Sequence, residues 1–494
     1  MNLTEIDIEY LKEKGLNLED VEAQVRDLKR GTQYLDITKP AVVNDGILHL
    51  SEEQQKEFLR YYEALRKSKS MVKFVPASGA ATRMFKNLYA YLEDSVLTDY
   101  IQEFITNIHL FAFCKELESS LLLDGYNMDA LIKEKKYNLI ISFLLEEKGL
   151  NYGSLPKGLL SFHKCQEQVQ TPIDEHLKEA KAYLGEAPKL VFTISEIYTS
   201  LFEQKIKDGV ENLAFEIDYQ LCYQKAKTDT IAVGLNFEIV KDEQNKILMR
   251  PGGHGSLISN LDEIDTDIIF IKNIDNVVSQ SLLENNIQYK KILVGVLFSY
   301  QEQIFTYQSK LKDSEITADL LEEIYIFLVQ NLGIKNFKWQ KFTKKEKISY
   351  LKSKINRPLR VCGMVKNTGE PGGGPFWVSK NKEESLQIVE SSQIDLSKEK
   401  YKVIFNKSSY FNPVDLVCAV KNYKGEKYNL LDFVDKNSFF ISKKSYKGKD
   451  ILALEHPGLW NGGMSDWNTV FVAVPLQTFA PVKMINDLLK EEHQ

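Results

Sequence analysis

The residues in this sequence that are best suited to chemistry are cations beside small or turn-forming residues. Arg83 directly follows Ser-Gly-Ala-Ala-Thr (78–82), which comes after the apolar stretch KFVP. Small residues let backbone N–H groups approach an anion, and the helix that we expect Arg83 to open would add partial positive charge. A tight strand–helix connection would need the same small residues. The stretch is therefore a candidate phosphate site with a plain structural alternative.

Two lysines stand in comparable surroundings. Lys157 lies between proline and glycine in LPKGLL, where we expect an exposed turn on which it either reaches a phosphate or is simply solvated. Lys483 follows Pro-Val in TFAPVKMINDLL, just ahead of a predicted helix, and is another candidate anion ligand. With Arg83, these lysines would supply charge, and the sequence has no convincing Ser-His-Asp or Cys-His arrangement that would supply a nucleophile.

The acidic candidate is Asp275, in DIIFIKNIDNVV (267–278). Four consecutive apolar residues predict a buried strand, and Asn273, Asp275 and Asn276 follow at its carboxyl end. Ligands of open α/β sheets bind at that edge. A carboxylate there can hold Mg²⁺ against substrate phosphates, although an ordinary polar turn would have the same composition.

Two further stretches suit a base and a sugar. Gly253 and Gly255 flank His254 in MRPGGHGSLISNL, a loop whose glycines let a flat ligand come close and whose histidine could stack on a base or hydrogen-bond to it. The alternative for His254 is a buried histidine with satisfied hydrogen bonds. Glu390 ends the predicted strand in LQIVESSQID, where it could accept hydrogen bonds from sugar hydroxyls.

The elements that must position these residues alternate along the chain. KLVFTIS (189–195) and ENLAFEIDYQ (211–220) read as strands, and PIDEHLKEAKAYLG (172–185) reads as a helix. This alternation favours an α/β fold with a mixed, mostly parallel sheet. From 87 to 150, Leu, Ile and Phe recur three or four residues apart, which predicts a run of helices.

Composition and charge narrow the classes of protein. The chain has 494 residues and a formal net charge of −6, which argues against a general nucleic-acid binder. A lysine-rich, aromatic tract (334–360) could touch nucleic acid or form a solvated helix face.

Five scattered cysteines without a Cys-x-x-Cys pair indicate reduced thiols. The charged N-terminus predicts no signal peptide and no apolar run is long enough for a membrane span, so we expect a cytoplasmic protein.

Taken in order, these motifs resemble those of the UTP–sugar-1-phosphate uridylyltransferase superfamily, which includes the UDP-N-acetylhexosamine pyrophosphorylases. Its members carry Gly-Gly-x-x-Thr-Arg, Pro-Lys, a uridine-contacting Gln, Gly-His-Gly or Gly-Asn-Gly, Asn-x-Asp-Asn, Val-Val-Glu-Tyr-Ser-Glu and a late Pro-Val-Lys. This chain has SGAATR, PKG, YQKAKTDT, GGHGS, NIDN, IVESSQ and FAPVKMINDLL. The similarity spans roughly residues 36 to 490. The whole chain also resembles an uncharacterised bacterial family of about this length.

The resemblance implies a role for each matching residue. Gly79 and Thr82 would form the phosphate loop, and Arg83 would contact the triphosphate. Lys157 would bind the nucleotide and Lys483 a phosphate. Gln224 and the Gly253–His254–Gly255 loop would contact uridine, Glu390 would contact the sugar, and Asp275 would bind Mg²⁺. It also implies a three-layer nucleotide-sugar transferase fold, GT-A-like and Rossmann-like. Because the Pro-Val-Lys segment is followed only by a short helix, we expect no C-terminal β-helix of the kind found in the eukaryotic glucose enzymes.

The sequence departs from that pattern in three places. Ser78 and Ala81 stand where glycines are usual, and Ser256 follows Gly-His-Gly where an acidic residue or glycine is common. A long helical stretch separates Arg83 from Lys157 where the superfamily leaves few residues. We therefore expect a helical N-terminal region (1–70), an α/β core (71–345) with a helical insertion (87–153), and a C-terminal part of the core with sugar-binding loops (346–494).

The activity implied is a nucleotidyltransferase that joins a nucleoside triphosphate, for preference UTP, to a sugar 1-phosphate and releases pyrophosphate. A glycosyltransferase would normally show Asp-x-Asp where this chain has Asn-Ile-Asp-Asn. A non-catalytic nucleotide-sugar-binding protein could keep Gln224 and His254 without needing three phosphate-binding cations. The sequence thus favours the enzyme, with Mg²⁺ as cofactor, and leaves the sugar and the oligomeric state open.

Overall fold

A computed structural model describes residues 3–79, 81–165, 168–185, 187–312, 315–369 and 372–494. Within these ranges the chain forms two compact units. Unit 1 comprises Met1–Ser70, Gln224–Ile269 and Leu293–Ala473, and unit 2 comprises Met71–Tyr223, Phe270–Ile292 and Val474–Gln494. The small-residue stretch at 78–82 includes residue 80, which lies outside the described residues.

The helices occupy both units. Their bounds are α1 Glu5–Glu13, α2 Leu18–Arg30, α3 Glu52–Leu65, α4 Lys86–Asp94, α5 Asp99–Thr106, α6 Cys114–Leu123, α7 Met128–Lys133, α8 Tyr137–Leu145, α9 Pro172–Leu184, α10 Thr199–Leu213, α11 Ile258–Leu261, α12 Gln280–Lys310, α13 Ala318–Gln330, α14 Lys344–Ile355 and α15 Glu399–Asn406. Among the described residues, no helix is both long and apolar enough to cross a membrane.

The strands are mostly short. Their bounds are β1 Asp36–Pro40, β2 Val42–Val43, β3 Gly46–Leu48, β4 Met71–Pro76, β5 His163–Cys165, β6 Gln168–Gln170, β7 Lys189–Ile194, β8 Asp218–Tyr223, β9 Thr230–Gly234, β10 Met249–Arg250, β11 Ile268–Lys272, β12 Lys335–Asn336, β13 Leu359–Lys366, β14 Gly374–Lys380, β15 Glu383–Val389, β16 Tyr410–Phe411, β17 Asp415–Ala419, β18 Phe440–Tyr446, β19 Lys449–Glu455 and β20 Asn468–Ala473.

Unit 2 is built on a parallel sheet. Strands β4, β7 and β8 lie side by side in that order, with Phe74 opposite Val191 and Val191 opposite Gln220. Helices α9 and α10 pack against this sheet through a buried apolar cluster that includes Leu177, Phe192 and Phe202. Thr171 caps α9 and Pro172 occupies its first turn, so the sequence itself specifies where this helix begins.

The run of helices predicted over 87–150 is present in unit 2 as α4 to α8. Helices α4 to α8 share one large apolar core, which also contains Val482 and Ile485 from the end of the chain. Phe111 and Phe113 stack within that core, with ring centroids 4.9 Å apart. These helices therefore pack around one apolar interior together with the end of the chain, which explains the recurrence of large apolar residues in their sequence.

Unit 1 mixes parallel and antiparallel pairing. Strand β20 lies between β3 and β13 and pairs with both in parallel, whereas β17 pairs with β13 antiparallel. Two further sheets, in the orders β1-β14-β15-β12 and β10-β9-β19-β18, are antiparallel throughout. A mixed α/β architecture is therefore confirmed, but its strands are partly rather than mostly parallel.

The antiparallel hairpins have a local cause. Asn381 and Lys382 both have positive φ angles and join β14 to β15 in a two-residue turn, and Lys447 and Gly448 do the same between β18 and β19. Such turns match the right-handed twist of paired strands.

The prediction of a strand over 211–220 was partly wrong, because α10 runs to Leu213 and the strand begins only at Asp218.

Candidate functional site

Unit 2 holds the acidic candidate against one of the predicted cations. Strand β11 is buried throughout, and Asp275 follows its carboxyl end with a side chain that is 20% exposed. The Asp275 Oδ2 atom accepts a hydrogen bond from Lys157 Nζ at 2.6 Å. Lys157 was expected on an exposed turn, but its side chain is only 14% exposed, because the carboxylate holds it inward.

Lys157 also reaches the end of the chain. Its Nζ donates to the carbonyl oxygen of Val482 at 2.6 Å. The following residue, Gly158, packs closely, since a Cβ there would lie 3.2 Å from Phe202 and 3.3 Å from Ile274. The Pro-Lys-Gly motif thus ties the NIDN loop to the Pro-Val-Lys segment, and its glycine permits the close approach.

The Pro-Val-Lys segment is bound to the NIDN loop by main-chain contacts. Val482 N donates to the carbonyl oxygen of Asp275 at 3.1 Å, and Ala480 N donates to Asn276 Oδ1 at 3.0 Å. Lys483 N donates to Asp487 Oδ2 at 2.8 Å, which holds the turn that follows. Two motifs about two hundred residues apart in sequence therefore lie side by side in unit 2.

Arg83 lies on a segment that touches the same part of the chain. Residues Ala81–Arg83 form a 3₁₀ turn and helix α4 begins only at Lys86, so the expectation that Arg83 opens a helix is wrong. Ala81 is buried in the helical core, whereas Thr82 and Arg83 are exposed. The next residue, Met84, accepts a hydrogen bond through its carbonyl oxygen from Ile485 N at 3.2 Å.

The small-residue loop leaves room beside its backbone. A Cβ at Gly79 would have no described atom within 4 Å, so packing against the protein does not require glycine there. Space beside a backbone that follows a strand is what an anion site needs. The approach of Arg83 and Lys157 to one triphosphate stays a prediction.

Unit 2 also contains a buried charge cluster that was not predicted from the sequence. Glu179 accepts hydrogen bonds from Lys73 Nζ at 2.8 Å and from Lys272 Nζ at 2.5 Å, and all three side chains are buried. Burial lowers the pKa of Lys73 to about 7 although Glu179 opposes that shift. Burial would raise the pKa of Glu179, but the two lysines outweigh it and hold the pKa low.

The cluster supports the NIDN loop directly. His176 Nε2 lies 3.2 Å from the carbonyl oxygen of Ile274, and Lys73 Nζ donates to the carbonyl oxygen of His176 at 3.1 Å. Burial, with Lys73 adding to it, lowers the pKa of His176 well below its usual value, so its neutral ring donates to Ile274. The available signal was a lysine inside each of two apolar strands, MVKFVP and IIFIK.

Unit 1 contains the glycine–histidine loop. Gly253 has a φ of 75°, which favours glycine, and a Cβ at Gly255 would lie 2.2 Å from the carbonyl oxygen of Pro457. The glycines are thus required by close packing against the chain at 455–457. A ligand is not needed to explain them, but they leave His254 held at a fixed position.

His254 is flat against an aromatic ring. Its imidazole stacks on Trp460 with ring centroids 4.3 Å apart, and its Nδ1 accepts a hydrogen bond from Leu459 N at 3.2 Å. Burial lowers the pKa of His254 to about 4, with partial opposition from Glu455. The ring is therefore neutral at neutral pH, and its proton is on Nε2, because Nδ1 is an acceptor.

Glu390 lies on the Nε2 side of that ring. Its Oε1 is 3.8 Å from His254 Nε2, and it directly follows β15, as predicted. Burial raises the pKa of Glu390, and the nearby Glu455 carboxylate adds to that rise. A Cβ at Gly373 would lie 3.5 Å from Glu390 Cγ, so Gly373 lies beside the Glu390 side chain.

Gln224 is connected to the same loop through a short turn. Its Nε2 donates to Asp229 Oδ1 at 3.2 Å, and burial raises the pKa of that aspartate. Thr228, in the turn between them, has its carbonyl oxygen 2.8 Å from His456 Nε2. His456 N in turn donates to the carbonyl oxygen of Gly252 at 2.8 Å.

The sequence analysis missed the segment that packs against His254. In EHPGLWNGGM (455–464), Trp460 provides the stacking surface, and a Cβ at Gly458 would lie 2.8 Å from His254 Cε1. Asn461 is buried, and its Nδ2 donates to the carbonyl oxygen of Ile388 at 3.3 Å. The sequence does contain an indication of this loop, because Pro-Gly and Gly-Gly flank the tryptophan. Glycines flank His254 in the same way.

The described residues thus form two groups in separate units. Unit 2 brings Asp275, Lys157 and the segments that carry Arg83 and Lys483 into contact. Unit 1 brings His254 and Glu390 together and links Gln224 to the same loop. The roles of all these residues toward ligands stay predictions.

Comparison with known proteins identifies the family. A family model described as "Domain of unknown function (DUF4301)" matches residues 4–494, so the chain belongs to that family. A search of curated protein sequences finds no match.

Among solved structures, the chain is similar to three parasite enzymes. It is 10% identical to the uridine diphosphate N-acetylglucosamine pyrophosphorylase of Trypanosoma brucei, with a TM-score of 0.46 over 91% of this chain and 72% of that one. It is 14% identical to a UDP-glucose phosphorylase of T. brucei, with a TM-score of 0.46 over 98% and 77%. It is 12% identical to UDP-glucose pyrophosphorylase of Leishmania major, with a TM-score of 0.43 over 99% and 79%. Similarity at this level assigns no activity.

Proposed function

We propose that this protein is a nucleotidyltransferase that joins a nucleoside triphosphate, for preference UTP, to a sugar 1-phosphate. The observation that carries the proposal is the contact of Lys157 with both Asp275 and Val482, at 2.6 Å each. Seven motifs of this chain resemble those of the uridylyltransferases. Through this contact, three of the seven lie together at the carboxyl end of a buried strand. A structural turn alone would not need a lysine, a carboxylate and a main-chain carbonyl oxygen from three distant segments.

In the proposed reaction, a phosphate oxygen of the sugar 1-phosphate attacks the α-phosphorus of the nucleoside triphosphate. The new P–O bond forms as the bond from the α-phosphorus to the bridging oxygen breaks, and pyrophosphate leaves with that electron pair. The nucleophile is already anionic, so no general base is required. Rate enhancement then comes from in-line positioning and from neutralising charge on the transferred group.

The residues of unit 2 suit those two tasks. Lys157 is held by short hydrogen bonds, so its ammonium group is pre-positioned. Arg83 is exposed next to buried Met84, and its planar guanidinium can bind phosphate oxygens in pairs. Lys483 follows a segment that is paired with the NIDN loop.

The donor set at Asp275 fits Mg²⁺. Mg²⁺ sites commonly use one or two carboxylates together with water and substrate phosphates, and Asp275 offers one partly exposed carboxylate at the carboxyl end of a strand. Bound there, Mg²⁺ would neutralise phosphate charge. Because Asp275 Oδ2 accepts the hydrogen bond from Lys157, the ion would be held by Oδ1.

The residues of unit 1 suit a base and a sugar. His254 presents a neutral Nε2–H donor, and its stacking on Trp460 fixes the plane of the ring. Glu390 offers a carboxyl group to sugar hydroxyls, and Gln224 offers an amide to the edge of uracil. A neutral, flat surface of this kind favours stacking and directional hydrogen bonds over attraction to charge.

A second candidate function follows from the ion pair itself. With Asp275 bonded to Lys157, the acid is already neutralised, which would also suit a nucleotide-sugar-binding protein that does no chemistry. The two functions differ in their products. An enzyme releases pyrophosphate, whereas a binding protein takes up UTP or a UDP-sugar and returns it unchanged.

The test is a screen of four nucleoside triphosphates against a panel of sugar 1-phosphates with Mg²⁺, in which pyrophosphate release is measured. We expect release with UTP and at least one sugar 1-phosphate, and a UDP-sugar as the second product. Release of nucleoside diphosphate from a UDP-sugar with an acceptor would indicate a glycosyltransferase instead. Binding of UDP-sugar without any turnover would support the binding protein.

A further inference from the structure

A group of metal-binding side chains lies in the helical insertion, among residues that the proposed reaction does not use. His109 Nδ1, Cys114 Sγ and Glu118 Oε1 lie within 4.8 Å of one another. His109 is in the 3₁₀ turn Ile108–Leu110, and the other two residues are on α6. Cys114 and Glu118 are four residues apart on that helix, so they share one face.

The distances among the three donor atoms are close to those of a tetrahedral site. The Sγ–Nδ1 distance is 3.7 Å, the Sγ–Oε1 distance is 3.5 Å and the Nδ1–Oε1 distance is 3.6 Å. Zinc with one thiolate, one imidazole and one carboxylate ligand at usual bond lengths would separate those atoms by about 3.3 to 3.6 Å. A small further closure of the triangle would bring all three atoms to bonding distance of one ion.

The surroundings of the triangle match those of zinc ligands. The second ring nitrogen of His109, Nε2, lies 3.7 Å from Asp129 Oδ1, and metal-bound histidines commonly place a carboxylate beside that nitrogen. Cys114 is the first residue of α6, where the helix dipole favours a thiolate. One thiolate and one carboxylate would balance the charge of a divalent ion.

A network of hydrogen bonds alone is a weaker explanation. The distances of 3.6 Å from His109 Nδ1 to Glu118 Oε1 and 3.7 Å from His109 Nε2 to Asp129 Oδ1 are both too long for hydrogen bonds. Binding of a divalent ion would displace the thiol proton of Cys114.

We propose that His109, Cys114 and Glu118 form a binding site for Zn²⁺ or a similar borderline divalent ion, with Asp129 orienting the histidine. Sulfur and nitrogen ligands exclude Mg²⁺ and Ca²⁺, which prefer oxygen. The side chains of His109 and Glu118 are 53% and 44% exposed, so the fourth position is open to water. The ion would hold the turn at 108–110 and α7 against the start of α6.

The test is metal titration of the full chain after treatment with a chelator. Co²⁺ serves as the optical probe, because a Co²⁺–thiolate bond gives an ultraviolet charge-transfer band and tetrahedral Co²⁺ absorbs strongly in the visible. Zn²⁺ is then added to displace the Co²⁺. We expect one ion per chain and a charge-transfer band that Cys114→Ser abolishes and Cys165→Ser, the matched control in the same unit, retains.

Exposed ligands provide the variants that need not disturb folding. His109→Gln and Glu118→Gln should each weaken Zn²⁺ binding by at least about 100-fold, since even residues that only orient a ligand cost 10- to 100-fold, and Asp129→Asn should weaken it about tenfold. Glu147→Gln, an exposed glutamate of the same insertion, should leave it unchanged. Equal Zn²⁺ affinity in wild type, His109→Gln and Glu118→Gln, or a charge-transfer band that Cys165→Ser abolishes, would overturn the assignment.

Discussion

The two groups of candidate residues use opposite chemistry. In unit 2, Asp275 and Lys157 are charged, form a short ion pair and rest on a second set of buried charges around Glu179. In unit 1, His254 is neutral and stacked on Trp460, and its loop is shaped by glycines. Phosphate transfer requires fixed charge, whereas recognition of a base requires a flat neutral surface. The difference therefore favours a division of labour between chemistry and binding.

The largest expected effect is on turnover. Asp275→Asn should lower kcat by about 1000-fold, because loss of the carboxylate that we propose to hold Mg²⁺ would remove several kcal/mol of transition-state stabilisation. Pyrophosphate release measures this effect, and Asp265→Asn, an exposed aspartate in unit 1, is the control. Near-normal activity of Asp275→Asn would remove that residue from the mechanism.

The next effect is on stability. Glu179→Gln should lower the free energy of unfolding by about 3 to 5 kcal/mol, because it leaves Lys73 and Lys272 buried without their carboxylate. Urea unfolding of the full chain measures the change, with Glu211→Gln on the exposed face of α10 as the control. A loss no larger than that of the control would mean that the buried charges are not what supports the NIDN loop.

A smaller effect is expected on nucleotide choice. Gln224→Ala should reduce the preference for UTP over the other nucleoside triphosphates about tenfold, because a lost directional hydrogen bond contributes about 1 kcal/mol. Competition between nucleotides in the pyrophosphate assay measures the preference, and exposed Gln244 provides the control substitution to alanine. An unchanged preference would show that Gln224 does not contact the base.

The last effect concerns the pH dependence of stability. The pKa of His254 is about 4 in the folded protein and about 6.5 when unfolded, so between those values only the unfolded chain binds the proton. The free energy of unfolding therefore falls as pH is lowered from about 6.5 to about 4. His254→Gln should make that slope shallower, although His176, His456 and His493, whose pKa values are also lowered, keep part of it. An unchanged slope would mean that the ring of His254 is not held neutral.

The sequence was informative where a motif is local. The strand before Asp275, the glycine loop at His254, the strand before Glu390 and the helical insertion all follow from short patterns of residues. The sequence was less informative about which residues contact each other across long sequence distances. Burial of Lys157 depends on Asp275 and Val482, which are more than one hundred and three hundred residues away, respectively. The extra antiparallel sheets depend on two-residue turns such as Asn381-Lys382, which lack the usual Asn-Gly signal.

The buried cluster shows a different limit. Lys73 and Lys272 lie within apolar strands, and the residues near them in sequence do not predict that both would bind Glu179. Trp460 was not predicted for a similar reason. Its stacking contact is with His254, which is about two hundred residues earlier in the sequence. Both features become visible only when long-range contacts are known.

The division of labour is tested most directly by separating kcat from KM in two variants under the same assay. Lys157→Met should lower kcat at least about 100-fold with a smaller change in KM for UTP, because a fixed cation acts on charge that develops during transfer. His254→Gln should raise KM for UTP up to about tenfold with kcat nearly unchanged, because it weakens binding of the base in the ground and transition states alike. Loss of kcat in His254→Gln together with normal kcat in Lys157→Met would contradict the account.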